Sequence, residues 1–494
     1  MYLANIPQVY ASERNLKIIS DEVWRIIVQL NDPAELFRNG DRIVWIERDD
    51  YGVPAMRSVG PDRLTHFLVQ RIHFWTFDKK GEEIISARPP KDLVVDILAR
   101  PDKSELPYLS RITTVPVFGP DGTLHDTPGY HPATHQYFAP KHLDKALAVE
   151  QDPPDYEIEL ARGIILEDLL GDFPFTGAAE KAHAVVAMLQ FFIRLMIHGP
   201  TPVFLIEKPT PGTGGTLLAH VLCYPALGHF PSAVTQPGSE SEWRYSLLSW
   251  LRDGPAVVLI DNLGDKLASP AFASAVTSTT FRERIIGSSD AVSVPIGCSW
   301  IATGNNPVLS TEFARRVARI RLDAKTEHPD LQRKFRQPDL RGWVVQNRPH
   351  LVWACLTLIQ AWIAAGRPAG NISLGGFESW SEVLGGILKT VGIDGFLANR
   401  YDLRLVSDLE SPSLRGFCDK WWSAFNQTPV GVAELWHLAT DLALGAGGEH
   451  SQRIKFGKLL DSLRDRCFGD FRVEKLGLRQ GVQQYRLQRV SGGS

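Results

Sequence analysis

Residues 203–219, VFLIEKPTPGTGGTLLA, limit the fold of this chain more than any other stretch. Four apolar residues lead into a turn rich in proline, glycine and threonine, and an apolar helical pattern follows at once. A buried strand that ends in such a turn aims several backbone N–H groups at one point. The helix behind it adds the positive end of its dipole, so the unit suits a bound polyphosphate.

Set against the phosphate-loop pattern G-x-x-x-x-G-K-[ST], Gly212, Gly214 and Thr216 fit, Pro209 replaces the first glycine, and Gly215 stands where lysine is expected. The loop, with Thr213 between its glycines, offers amides but not the usual cation. Taken alone, it is equally a plain tight turn. Three later stretches tip the balance toward phosphate. Residues 256–263 read AVVLIDNL, a buried-strand pattern ending in Asp261, and residues 299–307 read SWIATGNNP, a second strand ending in Asn305 and Asn306. Residues 314–321, ARRVARIR, then supply Arg315 and Arg316. A strand with Asp, a strand with Asn and then paired Arg resembles the order used by AAA+ and superfamily 3 helicase ATPases.

With 494 residues, 44% hydrophobic and 22% charged, the chain has the composition of a folded protein of about three domains. Its net charge of -3 is unevenly spread: residues 451–494 hold ten Lys or Arg against four Asp or Glu, which is +6 and leaves -9 for the rest. Basic character is therefore local. The five cysteines form no C-x-x-C pair, and the opening MYLANIPQVY has neither a basic nor an apolar leader pattern, so a cytoplasmic location is expected. The apolar run at 350–365 is short and broken by Thr357 and Gln360, which favours a buried helix over a membrane span.

Four regions are expected in an α/β multidomain chain. Residues 1–152 read as an N-terminal α+β domain, with a helix at 21–30 and short strands around 42–47 and 55–59. Residues 157–325 read as the P-loop core, 326–428 as a helical lid or connector, and 430–494 as helices followed by a two-stranded ribbon, the order of a winged helix. In the last region Arg453, Lys455, Lys458, Arg464, Arg466, Arg472, Arg479 and Arg486 are candidate phosphate contacts, with a solvated basic face as the plain alternative. His125, His131 and His135 do not share a helix face across Pro128, Gly129 and Pro132, so a polar loop is favoured over a zinc site.

If ATP binds, residues 212–216 donate backbone N–H groups, and Thr216 with Asp261 suits Mg2+. Asn305 is placed to orient the attacking water, and Arg315 or Arg316 to act as a finger reaching into a neighbouring subunit. Asn262 stands where many such proteins carry a glutamate base, and an amide accepts no proton. Lys208, just before the loop, is a candidate substitute for the missing lysine.

The set PTPGTGGTLLA, VVLIDN, TSTTFRERIIG, SWIATGNNP, ARRVARIRLD, FRQPDLRGWV and GGFESWSEVLGGIL resembles the helicase-like ATPases of phage, plasmid and integrative-element replication. The resemblance covers most of the chain and implies a ring-forming homo-oligomer, expected as a hexamer, that acts on single-stranded or forked DNA with ATP and Mg2+, beside a primase-polymerase. Lysine is usual at the Gly215 position in that family, and Asn after the acidic strand end is also usual. The competing expectation is a catalytically silent scaffold or loader that binds DNA and partners.

Overall fold

The computed structural model describes residues 6–400, 410–442 and 448–489, apart from 49, 51, 142, 144–147, 253, 265, 285–290, 334 and 469. Asp253 of the expected turn and the end of the TFRERIIG stretch lie outside the described residues. The chain divides into two compact units, 1–400 and 401–494.

In the first unit a five-stranded sheet is built from β1 (Val203–Lys208), β2 (Ala233–Val234), β3 (Val257–Leu263), β4 (Ser299–Asn305) and β5 (Val317–Arg321). The order is β2-β3-β4-β1-β5, and every pairing is parallel. Helix α1 (Ala178–Ile193), helix α2 (Gly215–Leu227) and the later helix α3 (Arg348–Ala364) pack around this sheet and one another. Burial on both faces explains why β1 reads as an uninterrupted apolar run: Val203, Phe204, Leu205 and Ile206 are fully enclosed. At about 1.5–3 kcal/mol for each such side chain, this burial anchors β1 firmly within the sheet. The same physics accounts for α3, whose Leu351, Val352, Leu356, Leu358 and Ile359 are all buried, as its apolar pattern predicts. No helix among the described residues is long and apolar enough to cross a membrane.

Residues 6–140 add strands, turns and three helices around a separate core that includes Val23, Trp24, Leu64, Phe74, Leu93 and Ile97. The first helix runs Leu16–Leu30, starting five residues before the expected position. Asn15 explains the difference: its side chain accepts from the Lys17 N–H (3.2 Å), an N-cap that extends the amphipathic face upstream.

The helical connector expected over 326–428 is divided between the units. Leu340–Gln346, α3 and Glu378–Thr390 belong to the first, whereas Glu410–Phe425 belongs to the second. There Leu414, Phe417 and Trp421 join a core with Leu435, Phe456, Leu460 and Leu487. Glu449–Ser462 follows, then Cys467–Phe468, Phe471–Arg479 and Val482–Arg489 in an antiparallel three-stranded sheet. Trp436–Asp441, expected as regular α-helix, is a 3-10 segment.

Buried polar links fix the first unit. Gln190 of α1 donates to Ser299 Oγ (2.6 Å) and accepts from the Trp380 indole (2.7 Å), so one amide joins a helix, a strand and the Glu378–Thr390 helix. His183 of α1 bonds the Arg319 carbonyl through Nδ1 (2.7 Å) and the Leu397 N–H through Nε2 (3.1 Å). A carbonyl only accepts and an amide N–H only donates, so the ring is held neutral with its proton on Nδ1. Burial depresses its pKa below 6.5, against smaller opposing effects of the Arg319 carbonyl and Glu180. The unfolded chain therefore takes up more protons below pH 6.5, and this contribution to stability is full above that pH and lost as pH falls. Urea unfolding at pH 7.5 and pH 5.5 should show a lower midpoint in acid. The drop should shrink in His183→Gln and persist in part, because burial also depresses His125 and His220.

Candidate nucleotide site

The turn between β1 and α2 closes through its own side chains and two unusual backbone positions. Gly212 (φ +80°) and Gly214 (φ +98°) occupy the left-handed region, where an L side chain costs about 1–2 kcal/mol. Thr213 is 1% exposed and its hydroxyl donates to the Thr210 carbonyl (2.7 Å), committing that side chain to the loop interior. Helix α2 begins at Gly215, leaving its first N–H groups without partners of their own helix.

Thr216, in the first turn of α2, donates to Asp261 Oδ1 at 2.9 Å. Thr303 of β4 donates to the same oxygen, while its hydroxyl accepts from the Asn262 N–H (3.0 Å). Asp261 is thus clasped between two hydroxyls from different elements. The register of β3 on β4 slips between Ile260 and Leu263, and Asn262 lies at φ +55°. Such a bulge re-aims side chains at a strand end, and Asn tolerates the conformation better than most residues. A carboxylate beside a threonine hydroxyl is a hard-oxygen pair of the kind that holds Mg2+.

Lys208 closes β1 and is 8% exposed. A Cβ added at Gly215 would lie 3.2 Å from Lys208 Cδ and 3.4 Å from its Nζ. Gly215 itself has no left-handed φ, so a side chain there would press on the end of Lys208 rather than strain the backbone. The ammonium thus occupies the ground beside the start of α2, arriving from the strand. Burial lowers its pKa from 10.5, and the charge of Asp261 opposes that shift.

Past β4 the two amides differ. Both are exposed, but the Asn306 side chain accepts from Arg321 (3.1 Å), whereas the Asn305 side chain has no hydrogen bond among the described residues. The two arginines also differ. Arg316 donates to the Glu312 carbonyl (2.6 Å) and pairs with the Glu312 carboxylate (3.1 Å), while Arg315 is exposed and unpaired among the described residues. The short helix Thr311–Ala314 sets them apart, with Arg315 as its C-cap.

Sequence reading missed two contributors. Thr303 sits within the apolar strand as its one hydroxyl facing Asp261. Glu207, a carboxylate inside the VFLIEK run, accepts from Arg319 Nε (2.8 Å) and Nη2 (2.9 Å) and from Arg321. Since Arg321 also holds Asn306, an ionic chain joins the β1 end to β5 and the β4 end. An acid placed among four apolar neighbours was the available signal, because burial demands a partner for it.

In the second unit the basic residues are largely paired. Arg453 meets Glu449 (3.0 Å), Arg472 meets Asp465 (2.9 Å), Arg464 meets the same Asp465 (3.7 Å), and Arg486 donates to Glu474 (3.0 Å through Nε). Arg466 lies over the Phe468 ring at 5.1 Å. Lys455 is exposed, and Lys458 and Arg479 are exposed with no ion pair among the described residues.

No protein-family model matches the chain, and no curated protein matches it. Among solved structures, the apo C-terminal region of NrS-1 aligns at 12% identity and TM-score 0.40, over 88% of this chain and 100% of that one. A structure described as "SCCmec type IV Cch - active helicase" aligns at 11% identity and TM-score 0.39, over 92% of each chain.

Removing the Glu207 carboxylate strands two guanidiniums. Glu207→Ala should destabilise the first unit by about 3 kcal/mol, as breaking one side of a buried ion pair does. Thermal denaturation should find Glu207→Leu combined with Arg319→Leu closer to the parent than the single change.

Proposed function

We propose that this chain is a P-loop ATPase that assembles as a ring, expected as a hexamer, and moves on or unwinds DNA during replication of a mobile genetic element. The observation that carries the reading is the Thr216–Asp261 hydrogen bond at the start of α2, on a parallel sheet whose β1 lies between β4 and β5. That arrangement sets hydroxyl, carboxylate and helix N-terminus around one spot outside the strand ends, where open α/β sheets bind ligands. Amides of residues 212–216 hold the phosphates of ATP. Thr216 and Asp261 hold Mg2+, which when bound supplies charge neutralisation at the phosphates.

In this reading Lys208 provides the cation that Gly215 lacks, Asn305 orients the attacking water, and Arg315, free where Arg316 is tied, reaches the nucleotide of a neighbouring subunit. Asn262 orients water without accepting its proton. The second unit, with three-stranded sheet and preceding helices, serves as a winged helix on single-stranded or forked DNA, and a primase-polymerase is the expected partner.

A cycle of variants tests the cation. Lys208→Met should lower ATP turnover by about a hundredfold or more, the scale for losing one charge-stabilising group. Gly215→Lys alone should bring no gain, since its Cβ already crowds Lys208. Combining Gly215→Lys with Lys208→Ala, which clears the Cδ and Nζ facing the new Cβ, should restore turnover. Gly215 and Asn262 favour a second reading, a silent scaffold that assembles on DNA; turnover seen only after Gly215→Lys would select it.

DNA contact is read from salt. With Lys458→Ala and Arg479→Ala together, affinity for single-stranded DNA should fall across all sequences, and the slope of log K against log salt should flatten by about 1.4, at ~0.7 per lost phosphate contact.

A further inference from the structure

Away from the P-loop, the first unit encloses a cavity of about 290 Å3 between residues 53–57, 111–118, α1 with the turn after it, and the end of α2. Its walls are apolar at Met56, Val117, Phe118, Phe191 and Leu195, and cationic at Arg111, Arg194 and the exposed Arg57, which pairs with Glu47 (3.7 Å). No Asp or Glu is among its described lining residues. A second cavity of about 220 Å3 shares Arg111, Arg194, Leu195 and Gln136 with it, so the two guanidiniums stand at a junction.

Arg111 and Arg194 are half-buried, and among the described residues their hydrogen bonds go to carbonyls. Arg111 donates to the Gly297 carbonyl, and Arg194 donates to those of Ile197 (2.8 Å) and Gly199 (2.9 Å). Carbonyls supply partial charge only, and Arg194 Nε is left without a partner. The two cations repel each other, and burial together with that repulsion pushes Arg111 down to about 10. Beside them Gln136, 6% exposed, presents an unpartnered Oε1, and Thr113 an unpartnered Oγ1. Buried polar atoms are normally satisfied, and buried cations are normally paired with an anion.

We infer that this cavity binds a small phosphate monoester with an apolar or aromatic body. Guanidiniums recognise phosphate oxygens through parallel N–H donors, which accounts for Arg111 and Arg194. Gln136 Oε1 needs a donor beside that anion. A phosphate monoester, with its second pKa near 6, carries a P–OH in part of its population at neutral pH, whereas a carboxylate has none. The apolar walls take the body of the ligand, at a volume just under the usual range of about 300–1,000 Å3 for ligand pockets.

The test uses the full chain with Mg2+ and a saturating non-hydrolysable ATP analogue to fill the P-loop, with phenyl phosphate as probe and calorimetry as readout, at pH 7 and constant salt. Saturable binding is expected, weakened at least tenfold by Arg194→Met. Ala55→Trp, which fills the cavity from the Pro54–Ser58 strand and leaves both guanidiniums in place, should abolish it even if Arg194→Met fails to fold. Omitting the analogue should leave the binding that Ala55→Trp removes unchanged, because the P-loop is a separate phosphate site. Inorganic phosphate should bind more weakly than phenyl phosphate. The inference is overturned by absence of saturable binding with the P-loop filled, by binding that survives Ala55→Trp under that condition, or by equal affinity for inorganic phosphate.

Discussion

The clasp on Asp261 is the constraint from which the rest of the site takes its shape. One carboxylate oxygen accepts hydroxyls from Thr216 on α2 and Thr303 on β4, and it stands at a bulge in β3. Three elements far apart in sequence are thereby registered to one atom. The parallel sheet makes this possible, since it inserts β4 between β1 and β3 and brings all their carboxyl ends to one edge. Without the bulge the side chain of Asp261 would follow the pleat of β3, and its meeting with α2 would not be secured.

A second network runs beside the clasp and is ionic. Glu207 gathers Arg319 and Arg321 beneath the end of β1, and Arg321 passes the connection to Asn306. The consequence is a division of labour among adjacent pairs: the side chains of Asn306 and Arg316 are tied into the framework, while those of Asn305 and Arg315 have no partner among the described residues. Lys208 and Gly215 are coupled in a similar way, through space. The lysine of the strand fills the volume that a side chain on the helix would need, so these two positions are one steric unit.

The Arg111–Arg194 cavity obeys the opposite rule. There, the half-buried guanidiniums of Arg111 and Arg194 meet carbonyls and no acid among the described residues, beside unpartnered oxygens of Gln136 and Thr113. The same unit shows, at Glu207, how it satisfies buried guanidiniums when the purpose is structural.

The amino-acid sequence by itself determined the local units. Four enclosed apolar residues made β1 a central strand, Gly212 and Gly214 made the turn, and the all-round apolar pattern of residues 350–365 made a buried helix. Periodicity and turn chemistry act over a few residues, so they are legible in a short window. The start of the first helix was misplaced because its signal is a single cap at Asn15, upstream of the apolar repeat. What only the tertiary structure decided lies in contacts between distant segments: Thr303 meeting Asp261, Glu207 meeting Arg319 and Arg321, and Lys208 crowding Gly215. Spacing along the chain does not encode such meetings, because they depend on strand order and on a bulge, which exist only once the sheet has assembled.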